Sequence, residues 1–213
     1  RPLRAEDYAQ GLHEFCRATC GGRRPVIVAS GIGAAVACLA AAQHPEFAAR
    51  LILFHPAGTN HWLDAWRPAA LRALSWTRRG RAWIYASRLA PPAAIGRWLA
   101  GRRSAGIDFD LTEAVSVYSS FARQYGAGWA IQRILSGRFQ ITALPRLEQM
   151  CIPLTVWWPS CGTAAPPETP AGQGQVRFDW LDECGPLATL DRPEDLTARL
   201  RVELFEPVHA VPG

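Results

Sequence analysis

The chain has 213 residues, of which 49% are hydrophobic and 19% are charged. These values are typical of a folded domain and exclude a disordered chain. All 23 basic residues are arginine, and against 18 acidic residues they give a net charge of +5. The six cysteines are scattered, which does not fit a disulfide scaffold and indicates buried thiols in a reducing compartment. No spacing of cysteine or histidine suits a metal, so neither a metal nor another cofactor is predicted.

The first predicted elements form one strand–helix–strand unit. Residues 3–20 have the apolar spacing of a helix that ends at Gly21 and Gly22. A β-branched run predicts a buried parallel strand over residues 25–29, and a turn of small residues leads into a helix over 34–43. A second apolar run predicts a strand over residues 50–55. Such a unit crosses over right-handed and gives a parallel sheet.

Helical patterns fill residues 60–145, which predicts an insertion between two sheet-forming parts, 1–59 and 146–213. Strands are predicted again over residues 153–158 and 175–180. A final helix is predicted over 193–205, because proline is favoured in a first turn and acidic side chains are favourable there. The fold class is therefore α/β, with a parallel sheet of about four strands.

The turn after the first strand resembles the nucleophile elbow of the α/β-hydrolase fold. In that pattern a strand is followed by small-x-nucleophile-x-small and then a helix, and here the residues are Ala29-Ser30-Gly31-Ile32-Gly33. The resemblance implies the C-terminal part of an α/β-hydrolase fold, with residues 60–145 as its inserted helical cap. The run Val28–Ala35 is similar to the elbow of a hydrolase-like group in cyanobacteria and plastids.

The three catalytic positions that this resemblance implies carry no reactive side chain. The nucleophile position is Gly31, the acid position is Gly162 and the histidine position is Pro186. Acyl transfer in this fold needs a nucleophile, a base and an orienting acid. We therefore expect a protein that is not an enzyme, a pseudoenzyme kept for its surface.

The alternative is a hydrolase or a binder of small apolar ligands that uses the pocket under the cap. Ser30 would then be a non-standard nucleophile, and His55, at the end of the neighbouring strand, would be its base. The structural interpretation of Ser30 is a turn residue, and that of His55 is a polar residue at a strand end. The other four histidines are expected at the surface, namely His13, His44, His61 and His209.

The predicted cap is rich in arginine and tryptophan, and no acidic residue lies between Arg67 and Arg103. These two residue types favour a protein interface or an anionic membrane surface, and no recognition motif favours nucleic acid. A solvated arginine face is the alternative. The predicted docking surface consists of Arg67, Arg72, Arg78, Arg79, Arg81, Trp76 and Trp83.

The resemblance implies a structural or assembly subunit of a larger complex, in a plastid or cyanobacterial compartment and associated with thylakoids or a photosystem. Other protein subunits are then the expected partners. The first strand, at Val26–Val28, is expected to form an open sheet edge, since no strand is predicted before it. An open parallel edge leaves backbone groups unpaired, so we expect another segment or subunit to cover it.

Overall fold

The computed structural model describes residues 4–56, 77, 79–80, 92–93, 96, 111–122, 124, 150–161, 176–185 and 187–205. Within these residues the elements are α1 (Ala5–Thr19), β1 (Val26–Ser30), α2 (Gly31–Gln43), β2 (Arg50–Phe54), α3 (Leu111–Ala122), β3 (Leu154–Pro159), β4 (Val176–Leu181), α4 (Ala188–Asp191) and α5 (Pro193–Phe205). Each predicted strand boundary lies within one residue of the observed one. Gly162, Pro186 and most of the predicted cap lie outside the described residues.

The four strands form one parallel sheet in the order β1-β2-β3-β4. The register places Ser30 beside Phe54 and Phe54 beside Trp157, so the strands end almost level with one another. The predicted α/β class and the parallel sheet of four strands are confirmed. All four carboxyl ends lie along one edge, where open α/β sheets place their ligand sites.

Helices cover both faces of the sheet, and the two faces have separate cores. On one face, α1 and α2 pack against alternate residues of the strands, among them Leu53 and Trp158. On the other face, Leu196 and Leu200 of α5 pack against a cluster that includes Phe54 and Trp157. The strands β2 and β3 are buried on both faces, which explains their continuous apolar sequences.

The strand β1 forms one edge of the sheet and is half uncovered. Ile27 and Ala29 pack against the α1–α2 layer. Val26 and Val28 point to the face that carries α5, yet 41% and 44% of their surface is exposed. Within the described residues β1 pairs only with β2, so its outer edge is open. The covering of this edge by another segment or subunit stays a prediction.

At the amino edge of the sheet, where the strands begin, a network of ion pairs and hydrogen bonds links the strands to α5. Arg50, the first residue of β2, donates from Nη1 to the Glu203 carbonyl oxygen at 2.6 Å and from Nη2 to Thr155 Oγ1 at 3.2 Å. Its guanidinium also pairs with the buried Glu203 carboxylate, which Arg177 of β4 contacts as well. Burial first, and the neighbouring charge of Arg177 second, lower the pKa of Arg50. The network ties α5 to three strands.

One helix of the predicted cap region lies beside the opposite, carboxyl edge. In α3, Ala114 and its neighbours Leu111 and Val115 pack against Leu187 and Leu190, which follow β4. This contact places α3 next to the strand ends, as a cap would be. The division into a core and a cap remains a prediction. None of the helices in the described part of the chain is both long and apolar enough to cross a bilayer.

Candidate active site

The elbow lies at the junction of β1 and α2. Ser30 is still extended, with φ −129° and ψ 148°, and Gly31 then turns the chain into α2 with φ +54°. This positive φ is the left-handed backbone that the apex of a nucleophile elbow requires. A Cβ atom placed on Gly31 would meet no heavy atom of the described structure within 4 Å. Among the described residues, nothing packs on the apex of the elbow where a side chain would begin.

His55 stands next to this apex. It directly follows β2, and because Phe54 pairs with Ser30, continuing the register brings His55 beside Gly31. Its backbone N–H donates to the Trp157 carbonyl oxygen at 3.0 Å. Its half-buried ring packs edge-on against Trp158, with ring centroids 5.1 Å apart at an interplanar angle of 72°. An imidazole is thus held against an apolar wall beside the elbow.

The turns after β3 and β4 are bound to each other. The backbone N–H of Glu183 donates to Ser160 Oγ at 2.9 Å, and the backbone N–H of Cys161 donates to the Cys184 carbonyl oxygen at 3.0 Å. The Glu183 carboxylate also pairs with Arg192, just before α5. These contacts hold the two turns level with the elbow and His55.

Both described residues other than glycine with left-handed backbone lie at this edge, together with the glycine of the elbow. Gly31, His55 and Glu183 have φ values of +54°, +40° and +55°, and they lie just past the ends of β1, β2 and β4. His55 and Glu183 are the only residues other than glycine with positive φ in the described part of the chain. Each such residue costs about 1–2 kcal/mol. Strain of this kind persists mainly at functional sites, so the carboxyl edge is the candidate site.

The structure separates the two residues of the predicted alternative pair. Ser30 is exposed, makes no side-chain cap to α2, and by strand alternation faces the same side as Val28 and α5. The ring of His55 packs on Trp158, which belongs to the α1–α2 layer. The two side chains therefore point to different faces of the sheet. The acid position Gly162 and the histidine position Pro186 lie outside the described residues.

The other predicted residues can be placed only in part. Arg79 is helical and exposed, and the remaining docking-surface residues lie outside the described residues, namely Arg67, Arg72, Arg78, Arg81, Trp76 and Trp83. His13 and His44, which were expected at the surface, are both half-buried, and their rings stack. Across the described ranges, no three His, Cys, Asp or Glu side chains gather so that they could hold a metal ion.

Glu183 and Ser160 were missed by sequence reasoning. The segment after β4 reads Asp182-Glu183-Cys184, and it has no glycine at the position that needs a positive φ. The hydrogen bond from Glu183 to Ser160 joins residues that are 23 positions apart in the chain, so no local sequence pattern predicts it. The one available signal was that both residues lie within three positions of the end of a predicted strand.

No family model matches the chain, and none of the curated proteins matches it. Its fold, in contrast, matches many solved structures. A probable hydrolytic enzyme from Pseudomonas aeruginosa PAO1 superposes on 97% of this chain and 71% of its own, with TM-score 0.67 and 18% identity. The epoxide hydrolase CorEH matches 96% of this chain and 76% of its own, with TM-score 0.67 and 16% identity.

A thermophilic esterase from Thermogutta terrifontis is a third neighbour. It matches 96% of this chain and 73% of its own, with TM-score 0.66 and 17% identity. The chain has the α/β-hydrolase fold. At these identities the α/β-hydrolase fold itself is what the neighbours share with the chain. The narrower resemblance to the cyanobacterial and plastid group, and with it the plastid and thylakoid placement, stays a prediction.

The prediction that the chain is not an enzyme is wrong on this comparison, because the neighbours are named as a hydrolytic enzyme, an epoxide hydrolase and an esterase. The error came from treating three empty positions, Gly31, Gly162 and Pro186, as the loss of all chemistry. An α/β-hydrolase fold also offers the first turn of the elbow helix and the other strand ends. Here those strand ends carry His55 and the bound turns at Ser160 and Glu183.

Proposed function

We propose that the chain is a hydrolytic enzyme, with its site at the carboxyl edge of the sheet between Gly31 and His55. The observation that carries the proposal is the strained, left-handed backbone of His55 and Glu183 at the same edge of an α/β-hydrolase fold as the left-handed turn at Gly31. The named activities of the solved neighbours support it. The substrate class that we propose is an ester.

His55 is the proposed general base. Its imidazole would take a proton from a water molecule, whose oxygen then bonds to the carbonyl carbon of the substrate. When the carbon–oxygen bond to the leaving group breaks, the imidazolium would return the proton to that alkoxide. The absent side chain of Gly31 leaves open space where the elbow normally holds a nucleophile, which is room for this water.

The first turn of α2 is the proposed site for the developing oxyanion. Its backbone N–H groups have no acidic side chain of their own turn to satisfy them, and Ser30 does not cap them. The positive end of the helix dipole adds to their attraction for a negative oxygen. The site would thus use the elbow for charge stabilisation and His55 for proton transfer.

Ser30 offers a second chemical route, in which its hydroxyl attacks the carbonyl directly and forms an acyl-enzyme. Because Ser30 faces the α5 side and the His55 ring packs toward the α1–α2 layer, we favour the water route. The two routes differ in a measurable way. Only the Ser30 route predicts a burst of product before steady state and a loss of activity in Ser30→Ala.

The decisive experiment measures hydrolysis of a series of chromogenic esters of increasing acyl length. We expect His55→Gln to lower kcat/KM by about 10²–10³-fold, which is what loss of a general base costs. Ser30→Ala should leave kcat/KM unchanged. His209→Gln, a histidine in the C-terminal stretch, is the matched control. Equal hydrolysis by His55→Gln and the unaltered chain, or no hydrolysis above buffer, would contradict the proposal.

We also propose that the outer edge of β1 meets a strand of another protein subunit. The support is the open edge itself, with Val26 and Val28 exposed beside it. Val28→Lys should block this association while leaving the sheet intact, because the residue is already half exposed. Analytical ultracentrifugation with and without candidate partners tests it. A lone monomer in all mixtures would contradict this second proposal.

A further inference from the structure

Two histidines join α1 to the end of α2. His13 of α1 and His44, the residue after α2, stack with ring centroids 3.9 Å apart and only 12° between their planes. Phe47 flanks His13, with centroids 6.2 Å apart. We call the stacked pair His13 and His44 the imidazole clasp.

A side-chain relay sets the proton on His44. Gln10 Nε2 donates to Glu14 Oε1 at 2.7 Å, which turns the Gln10 amide oxygen toward His44 Nε2, 3.1 Å away. An amide oxygen only accepts hydrogen bonds, so His44 Nε2 must carry the hydrogen and donate it. His44 is therefore held in one orientation against His13.

The opposite ring has a nitrogen without a partner. Among the described residues, His13 Nδ1 is buried and makes no hydrogen bond. A neutral ring tolerates this with a bare lone pair, whereas a second proton would place a buried N–H on a cation with no acceptor. Protonating both rings would also place two positive charges 3.9 Å apart.

The surrounding charges leave the clasp dependent on pH. Burial is the largest cause that lowers the pKa of His13, followed by His44 and Arg17, and Glu14 on the same helix opposes them. From the loop that carries Phe47, the nearby Glu46 is paired with Arg24. The negative charge available to a protonated His13 is therefore mainly that of Glu14.

We propose that the imidazole clasp is a pH-sensitive contact that holds α1 on α2 while the His13 ring is neutral and releases α1 in mild acid. The sign follows from proton linkage. A freed His13 regains an ordinary imidazole pKa of about 6.5, so the open state binds more protons than the clasped one as the pH falls below that value.

Release of α1 would expose α2, the helix that begins at the elbow. The buried side chains of α1 and α2 are mostly small, among them Ala9, Ala37 and Ala41. Small side chains bury little area each, so a clasp at one end can decide whether the helices stay together. Since α2 begins at Gly31, opening would reach the helix that carries the elbow.

The test is hydrogen exchange of the full chain at about pH 7.5 and about pH 5, corrected for intrinsic rates. We expect the opening equilibrium of α1 to rise by up to about tenfold per proton taken up for each pH unit between the pKa of the freed His13 and its lower pKa in the clasped state, while β2 and β3 amides stay protected. The variant His13→Phe/His44→Phe keeps a stacked pair that cannot titrate. Its α1 should stay protected at both pH values, and His209→Gln should behave like the unaltered chain.

Two results would overturn the proposal: α1 amides of the unaltered chain that do not respond to pH, or a double-phenylalanine variant with the same pH response. If that variant does not fold, the single variant His44→Phe gives the second measurement. Its His13 should titrate at a higher pH than in the unaltered chain, by nuclear magnetic resonance, because the positive neighbour is gone. An unchanged titration would also overturn the proposal.

Discussion

The amino edge of the sheet, where the strands begin, and the carboxyl edge, where they end, are built in opposite ways. At the amino edge, Arg50, Arg177 and Glu203 satisfy one another and fasten α5 to the sheet. At the carboxyl edge, His55 has a strained backbone, and a Cβ atom on Gly31 would meet no described atom within 4 Å. The strand β2 begins in the first arrangement and ends in the second. Stability is thus concentrated at one end of the strands, and the other end is left for chemistry.

The largest expected effect comes from breaking the amino edge. Glu203→Ala should lower the free energy of unfolding by about 3–5 kcal/mol, because it leaves the half-buried Arg50 guanidinium without its carboxylate. Urea unfolding followed by circular dichroism measures it. The matched control is Glu46→Ala, whose partner Arg24 is exposed, and which should cost about 0–1 kcal/mol. Similar losses in the two variants would show that the amino edge is not an anchor.

A smaller change in stability tests the left-handed backbone of Gly31 at the carboxyl edge. Gly31→Ala should cost about 1–2 kcal/mol, and the loss should come from the backbone alone, because a Cβ there meets no described atom within 4 Å. Gly33 in the same helix has equally open surroundings and no positive φ. Gly33→Ala should therefore stabilise the chain by about 0.5–1 kcal/mol.

Opposite signs at two glycines only two positions apart would confirm that Gly31 has a left-handed backbone that other residues adopt only with strain. Thermal unfolding monitored by calorimetry is sufficient, since both changes add the same methyl group. Gly31→Ser should show the same backbone cost as Gly31→Ala, and it should not raise hydrolysis if water is the nucleophile. A stabilising Gly31→Ala would contradict the elbow geometry.

The fold was more predictable than either edge, for physical reasons. The run Leu51–Phe54 is apolar without a break and is buried on both faces, so its strand could be predicted locally. The elbow was predictable because small residues follow β1 directly. In contrast, Arg50 and Glu203 lie 153 positions apart, and their pairing depends on where α5 comes to rest.

The candidate site was predictable only through the position of its residues. His55 was noticed because it ends a predicted strand, and its left-handed backbone could not be foreseen from its residue type. The stack of His13 and His44 depends on two helices meeting, so each histidine alone suggested a surface residue. The sequence showed that the three catalytic positions lack reactive side chains, but it did not show which residues lie around them.

The smallest expected effect is a change in the rate of cysteine alkylation, which compares the amino and carboxyl ends of β3. Cys151 just before β3 and Cys161 just after it are both exposed, whereas burial raises the pKa of the Cys38 thiol to about 12 and keeps it unreactive. A carboxylic acid product bound beside His55 should slow alkylation of Cys161 severalfold, because Cys161 lies on the neighbouring strand end, and should leave Cys151 unchanged. Mass spectrometry of peptides after timed iodoacetamide treatment separates the two thiols. Equal slowing of Cys151 and Cys161 would mean that the acid acts on the reagent or on the whole fold, and protection of Cys151 alone would place the ligand at the amino edge.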